Sequence, residues 1–262
     1  VGRIVGWWER SGLDPQKVPP AARAAFRKAS GLPLLSNWWG GKLSRRLPLP
    51  RDTRPGTVDT LIVAWLTTGA SYRTDISNAA RTGLLDLRLR RRSAFLRRFF
   101  SIPPGTPVAR VGPSLHRYGR VSPRHGFAAG ALIVAVLGDA GAALLGATGG
   151  ETGILNATLG TGGFLHLPIP RPRRPPEGLY LAPAWEVQGR VRWTFEAGVP
   201  GLASALRAGL AAAGLPPKAH RELSPVMPPP GVTAVLAPEG FGALGPAGEG
   251  VRLLGPWETL RP

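Results

Sequence analysis

One acidic residue and one glycine turn carry the residue types that phosphate chemistry needs. Asp139 comes two residues after the end of an apolar run, Ala131–Leu137, and a Gly-Thr-Gly-Gly turn begins at Gly160. An aspartate at the carboxyl end of a strand can take a proton from a bound hydroxyl group, because open α/β sheets bind ligands at that edge. Glycines let backbone N–H groups approach phosphate oxygens closely. A helix-capping aspartate and a plain hairpin turn are the alternative interpretations.

Hydropathy predicts the elements that position these residues. The run Ala131–Leu137 is short and rich in β-branched residues, which predicts a central strand buried on both faces. Gly138 then turns the chain, and Ala140–Leu145 is small and apolar enough to begin a helix. The stretch Gly153–Ile169 alternates in polarity around the glycine turn, which predicts a β-hairpin.

The rest of the chain alternates between predicted helices and strands. Prolines at the start and a glycine at the end mark helices over Pro19–Gly31 and Pro200–Gly214. The other predicted elements are a buried helix over Gly56–Gly69 with Asp59 near its start, an Arg-rich helix over Leu87–Phe100 with Phe95, Leu96 and Phe99 on one face, and a second antiparallel pair over Tyr180–Gly198. This alternation predicts an α/β fold.

Composition limits the function classes. The 262 residues suffice for one large or two modest domains. The chain contains no cysteine and four scattered histidines, which argues against a disulfide framework and a zinc centre. No signal peptide or long uncharged apolar run is visible, so we expect a soluble, cytoplasmic protein without a membrane span. The sequence does not decide whether the protein forms a homo-oligomer.

The charge balance is strongly basic. There are 33 Lys and Arg residues against 15 Asp and Glu, which gives a formal net charge of +18. A nucleic-acid-binding module is therefore one hypothesis. Only four of the basic residues are lysines, so the charge is an arginine bias spread over the chain. We favour a solvated arginine face over a polyanion site, and nucleic acid is not the expected partner.

Five segments, in order, resemble motifs of the FGGY-family carbohydrate kinases, in particular the glycerol kinase branch. They lie between residues 56 and 164, and a looser resemblance extends from Trp8 to about Gly250. The segments are GTVDTLIVAWLTTG (56–69), TDISNAART (74–82), SIPPGTPVARVGPSLHRYG (101–119), GDAGAALLG (138–146) and TLGTGGF (158–164).

This resemblance implies a fold and an activity. The expected fold is the actin-like, ribonuclease-H-like ATPase fold, in which two domains flank a cleft. Residues 1–148 would be the later part of the first, polyol-binding domain, and residues 149–262 the early part of the second, nucleotide-binding domain. The implied reaction is ATP- and Mg²⁺-dependent phosphorylation of a polyol, with glycerol as the leading substrate. We expect both domains to be incomplete here and the chain to be a fragment of a longer reading frame.

The resemblance also assigns roles to individual residues. Asp139 falls on the family's general base. The polyol-binding positions would be Trp8, Asn37, Asp139 and Phe164, and the ATP-binding positions would be Gly160, Thr161, Gly162 and Ala203.

Two positions depart from the family pattern. Ala140 stands where the family has glutamine beside the base, and Asn37 stands where it has a tyrosine. A degenerate homologue that binds a polyol or a protein without catalysis is therefore the second hypothesis, ahead of the nucleic-acid-binding module.

Overall fold

The structure is a computed structural model that describes residues 4–6, 9–160, 162–176, 178–199, 203, 207, 210, 211, 214, 216, 233–236 and 251–254. Its α-helices are α1 (Pro20–Ser30), α2 (Trp39–Ser44), α3 (Val58–Leu66), α4 (Ile76–Ala80), α5 (Ala94–Phe99) and α6 (Asp139–Thr148). Its strands are β1 (Arg73–Asp75), β2 (Leu85–Asp86), β3 (Arg91–Arg92), β4 (Arg110–Gly112), β5 (Leu115–Arg120), β6 (Leu132–Ala135), β7 (Asn156–Leu159), β8 (Gly163–Ile169), β9 (Tyr180–Val187), β10 (Arg190–Val199), β11 (Thr233–Leu236) and β12 (Val251–Leu254).

The chain divides into two compact units. The first unit comprises residues 1–154, 168–174 and 180–194, and the second comprises residues 155–167, 175–179 and 195–262. The predicted assignment of residues 1–148 and 149–262 to two domains stays a prediction.

The core of the first unit forms around α1. This helix begins at Pro20 and ends at Ser30, and the Gly31 that caps it has a φ of 75°, the left-handed conformation that glycine adopts without strain. Both ends agree with the sequence prediction. Phe26, fully buried on α1, stacks at an angle on Phe99 and meets Phe100 edge-on, with ring centroids 5.0 and 5.6 Å apart. Leu32, Leu84 and Leu96 complete this core.

The short helix α4 begins where strand β1 ends. β1 pairs in parallel with β4, with Asp75 opposite Gly112. Ile76 and Ala79 of α4 are fully buried and form a second apolar cluster with Ala80 and Leu85. The α4 helix is therefore anchored in the core of the first unit, and the residues at its start occupy fixed positions.

The predicted hairpins are confirmed. β7 pairs antiparallel with β8, and Leu159 opposite Gly163 closes the glycine turn. β9 and β10 are joined by Gln188 and Gly189, whose φ values of 49° and 75° suit a two-residue hairpin turn. The four strands form one sheet in the order β7-β8-β10-β9.

Two burial predictions are wrong. The strand predicted over Ala131–Leu137 is the shorter β6, and its Leu132 and Val134 side chains are 40% and 47% exposed. β6 pairs only with β5 within the described residues, and strand pairing covers the edges of a strand, not the faces that carry its side chains. On α3, which was expected to be buried, Ile62 and Trp65 are exposed while Val63 is buried.

No helix in the described part of the chain is long and apolar enough to cross a membrane.

The Arg-rich segment is helical only at its end. Residues before Ser93 form a turn and β3, and the side chain of Ser93 caps α5 by accepting a hydrogen bond from Leu96 N–H. Leu96 is buried as expected, but Phe95 is exposed. Arg97 donates hydrogen bonds of 2.8 and 2.9 Å to the carbonyls of Pro104 and Thr106. This arginine thus stabilises the loop that follows α5.

Candidate functional site

Asp139 is the first residue of α6 and is exposed to solvent. Its Oδ1 accepts a hydrogen bond of 2.8 Å from the N–H of Ala140. Within the described part of the chain, Oδ2 accepts no hydrogen bond. An exposed carboxylate oxygen without a bonding partner can accept a proton from a ligand hydroxyl group. The structure thus places Asp139 just after a strand and at a helix start, as predicted, but at the surface of the first unit.

The backbone that leads to Asp139 is held at two alternate residues. The N–H of Val136 donates to the carbonyl of Ser114 at 2.9 Å. The N–H of Gly138 donates to Oγ of Ser77 at 2.9 Å. Because both amides of this short segment are anchored to the first unit, the start of α6 has a defined direction.

Both serines also bond to the carboxylate of Asp75, which has no exposed surface. Ser77 Oγ lies 2.8 Å from both carboxylate oxygens, and Ser114 Oγ donates to Oδ2 at 2.6 Å. Oδ1 also accepts the backbone and side-chain N–H groups of Asn78 at 2.9 and 2.8 Å. Asp75 is therefore a buried carboxylate solvated by hydroxyl and amide donors, and it caps α4.

Ser114 extends this network to strand β9. Its N–H donates to the carbonyl of Glu186 at 2.8 Å, and its Oγ accepts from the N–H of Glu186 at 3.0 Å. The residues Asp75, Ser77, Ser114 and Gly138, with their mutual hydrogen bonds, are named the Asp75 network below. It joins α4, the β4–β5 connection, β9 and the segment before Asp139.

Two glycines allow α6 to sit close to its neighbours. A Cβ atom on Gly138 would lie 3.2 Å from Ser77 Oγ, which is closer than an ordinary contact. A Cβ atom on Gly141 would lie 2.7 Å from the carbonyl oxygen of Ala184 on β9, so only glycine fits there. Leu144, one turn further along α6, packs against Ala184 and Trp185.

Asn37 lies in the loop before α2 and is half-buried. Its Oδ1 is buried and has no hydrogen-bond partner among the described residues. The neighbouring carbonyl of Ser36 accepts the N–H of Gly12 at 2.8 Å. Trp8, the other predicted polyol contact in this part of the chain, lies outside the described residues.

The remaining predicted residues belong to the second unit. Gly160 and Gly162 form the tip of the β7–β8 hairpin, where the N–H of Gly160 donates to the carbonyl of Gly162 at 3.0 Å. Phe164 on β8 is 37% exposed and pairs with Thr158. Ala203 is a half-buried helical residue. Thr161 lies outside the described residues.

A second carboxylate, Asp59, lies next to the Asp75 network. Its Oδ2 accepts a hydrogen bond of 2.7 Å from Thr74, the residue before Asp75. Burial raises the pKa of Asp59 above its usual range, and the charge of Asp75 adds to this effect, while hydrogen bonds from Thr57 and Thr74 oppose it. Asp59 therefore resists ionisation more than an exposed aspartate does.

The donor set for a metal ion is small. Among the described residues, no group of three or more His, Asp or Glu side chains is placed to hold a metal. Mg²⁺ in phosphoryl-transfer sites commonly binds through one or two carboxylates, water and the phosphates of the nucleotide. The exposed carboxylate of Asp139 fits that manner of binding.

The sequence prediction missed the roles of Asp75, Ser77 and Ser114. A local signal existed for two of them, since an aspartate followed at the second and third positions by serine and asparagine is a typical helix start. Nothing in the local sequence indicates that Ser114 and Gly138 meet these residues, because those contacts are formed by the tertiary fold.

No family model matches the sequence. The chain is 35% identical over 141 residues to a glycerol kinase of Myxococcus xanthus and 36% identical over 145 residues to one of Halorhodospira halophila. These matches cover 53% and 55% of this chain, and 28% of each relative. An apulose kinase of Pectobacterium atrosepticum is 34% identical over 145 residues.

Solved structures match over most of the chain. The glycerol kinase of Plasmodium falciparum with ADP aligns with a TM-score of 0.77 at 19% identity, and covers 92% of this chain. A xylulose kinase of Rhodospirillum rubrum aligns with a TM-score of 0.71 at 20% identity, and covers 89%. The chain spans 50% and 49% of these two structures. The chain is therefore similar in sequence to glycerol kinases over about half of this chain's length, and its fold is the actin-like fold of the solved FGGY carbohydrate kinases.

Proposed function

We propose that the chain is the central part of a kinase that transfers the terminal phosphoryl group of ATP to a polyol, with glycerol as the leading substrate. Its similarity to glycerol kinases and the fold shared with sugar kinases support this reaction class. The observation that carries the proposal is the exposed carboxylate of Asp139 on an anchored backbone segment.

In the proposed reaction, Asp139 accepts the proton of the substrate hydroxyl as the hydroxyl oxygen bonds to the γ-phosphorus of ATP. The bond from the γ-phosphorus to the β–γ bridging oxygen breaks, and ADP leaves. Phosphoryl transfer needs little covalent help from the protein, so positioning and charge stabilisation supply most of the rate. The hydrogen bond from Ala140 N–H leaves Oδ2 available to the hydroxyl group. Asn37 would be a further polyol contact, as the resemblance to the family implies.

The nucleotide would be bound by the second unit. We assign the phosphates to the hairpin tip at Gly160, Thr161 and Gly162, since glycines permit close approach of backbone N–H groups. Ala203 would contact the nucleotide, and Phe164 would pack on the carbon edge of the polyol. Mg²⁺ bound with ATP would neutralise charge on the phosphates.

The test is an acceptor panel on the complete gene product that contains these 262 residues. ADP release is measured with MgATP alone and with glycerol, xylulose, gluconate or apulose. We expect release to depend on the acceptor and to be fastest with glycerol, with a new phosphomonoester in the ³¹P spectrum. ADP release that is equal with and without acceptors would contradict the proposal.

A second candidate function is polyol binding without catalysis. Ala140 and Asn37 favour it, because the family places glutamine and tyrosine at these positions. Isothermal titration calorimetry with glycerol, in the presence and absence of a non-hydrolysable ATP analogue, would show binding in both functions. Glycerol binding combined with no ADP release would select this candidate over the kinase.

A further inference from the structure

We propose that Asp75 is a positioning residue for the base, acting through Ser77 and Ser114 on the backbone before Asp139. The inference rests on the proposed function in that it takes Asp139 as the base. It adds a role for a buried carboxylate that touches neither the proposed substrate nor the reacting atoms.

The two serine hydroxyls of the Asp75 network have fixed donor and acceptor directions. A hydroxyl group has one proton to donate and two lone pairs to accept. Ser77 and Ser114 both direct that proton to Asp75, at 2.8 and 2.6 Å. Their lone pairs are thereby turned toward backbone N–H groups, namely Gly138 for Ser77 and Glu186 for Ser114.

The carboxylate suits this task better than a neutral group. Ionised, it is an acceptor only, so each hydroxyl beside it is forced to donate. Asp75 has no ion pair among the described residues, and its oxygens are taken up by donors of Ser77, Asn78 and Ser114. A buried carboxylate held in this way keeps the two serines in one orientation.

The fixed orientation of Ser77 and Ser114 affects Asp139 because both residues bind backbone amides just before it. Gly138 N–H binds the Ser77 hydroxyl, and Val136 N–H binds the carbonyl of Ser114. These residues lie one and three positions before Asp139. Since small displacements of a catalytic group reduce rate strongly, a network that fixes these amides contributes to turnover without contacting substrate.

The first experiment measures amide hydrogen exchange by NMR in the complete protein, with no substrate present. Ser77→Ala removes the acceptor of the Gly138 N–H, so we expect exchange at Gly138 to quicken by about tenfold relative to a matched control. The control is Ser30→Ala, which removes a buried hydroxyl that likewise donates, to Phe26, and accepts, from Leu32. Ser30→Ala should leave the exchange at Gly138 unchanged after correction for global stability.

The second experiment measures kinetics on the same variants. Ser77→Ala should lower kcat by about 10- to 100-fold with little change in KM for glycerol, because the base is displaced rather than removed. Ser77→Thr retains a hydroxyl group and should recover most of the loss. Ser30→Ala should keep wild-type kcat at a temperature where all variants are folded.

The two experiments separate failure of this inference from failure of the proposed function. If the wild type shows no glycerol-dependent turnover, the kinase proposal fails, and the exchange of Gly138 still decides whether Ser77 holds this segment. Unchanged exchange at Gly138 in Ser77→Ala would overturn the inference. Equal losses of kcat in Ser77→Ala and Ser30→Ala, or no recovery in Ser77→Thr, would also overturn it.

Discussion

Asp75 and Asp139 occupy opposite environments in the same unit. Asp75 has no exposed surface, and its oxygens accept hydrogen bonds from three residues. Asp139 is exposed, and within the described residues it accepts one hydrogen bond, from Ala140. A carboxylate whose acceptor positions are filled stabilises the fold, whereas one with an open oxygen is available to a ligand. The fold therefore separates the residue that positions from the residue proposed to react.

The largest expected effect is on turnover, and it follows substitution of Asp139. Asp139→Asn removes the proton acceptor and should lower kcat by about 10²- to 10⁴-fold. Because the side chain is exposed, the free energy of unfolding should change by less than about 0.5 kcal/mol. Coupled assays of ADP release and thermal unfolding measure both quantities.

The control for that variant is Asp52→Asn. Asp52 is also exposed and has a φ of 61°, a conformation that asparagine adopts readily. It should keep wild-type turnover and stability. Equal losses of turnover in both variants would show that the effect is not specific to Asp139.

The largest effect on stability is expected from substitution of Asp75, whose oxygens already accept hydrogen bonds from three residues. Asp75→Asn places an amide N–H₂ group among hydroxyl and N–H donors, which leaves buried donors without acceptors. The free energy of unfolding in urea should fall by about 2–5 kcal/mol. Asp86→Asn is the control, since one carboxylate oxygen of Asp86 accepts the N–H groups of both Arg88 and Leu89, and an asparagine oxygen can do the same. A loss in Asp75→Asn no larger than in Asp86→Asn would contradict the role of Asp75.

Two glycines in or beside α6 should respond in opposite directions. A Cβ at Gly138 would press on Ser77 Oγ at 3.2 Å, whereas a Cβ at Gly146 would meet no atom within 4 Å among its surroundings. Gly138→Ala should destabilise the protein by about 1 kcal/mol and lower turnover. Gly146→Ala should stabilise it by about 0.5–1 kcal/mol, because alanine is the better helix former. Urea denaturation of both variants checks the signs.

The smallest effect concerns pH. The pKa of Asp59 is raised mainly by burial, so the folded state holds this proton more tightly than the unfolded state. The contribution of Asp59 to stability is therefore greatest at low pH and is lost as pH rises through its raised pKa. Asp59→Asn should remove this dependence, so the stability of the wild type relative to the variant should fall as pH rises through the raised pKa. Parallel slopes for both proteins through the acidic range would contradict the assignment.

The sequence predicted local elements well. Helix α1 starts at its proline and ends at Gly31, and the β7–β8 hairpin turns at its glycines, because such signals act within a few residues. Burial was predicted less well. Leu132 and Trp65 are apolar but exposed, since hydropathy reports what a side chain prefers and not which neighbouring element covers it.

The candidate site was predictable only in part. Asp139 and the glycine turn were found from residue types and spacing. The Asp75 network was not, because Ser77 and Gly138 are 61 positions apart in the chain and meet only in the folded unit. The identity of a positioning residue therefore depended on the structure, while the identity of the proposed base did not.

The different roles of Asp75 and Asp139 are tested most directly by two measurements on Asp139→Asn and Asp75→Asn, namely turnover per folded molecule and the free energy of unfolding. We expect Asp139→Asn to lose at least about 100-fold in turnover with unchanged stability, and Asp75→Asn to lose several kcal/mol of stability. Wild-type turnover in Asp139→Asn, in a protein whose wild type phosphorylates glycerol, would contradict the account.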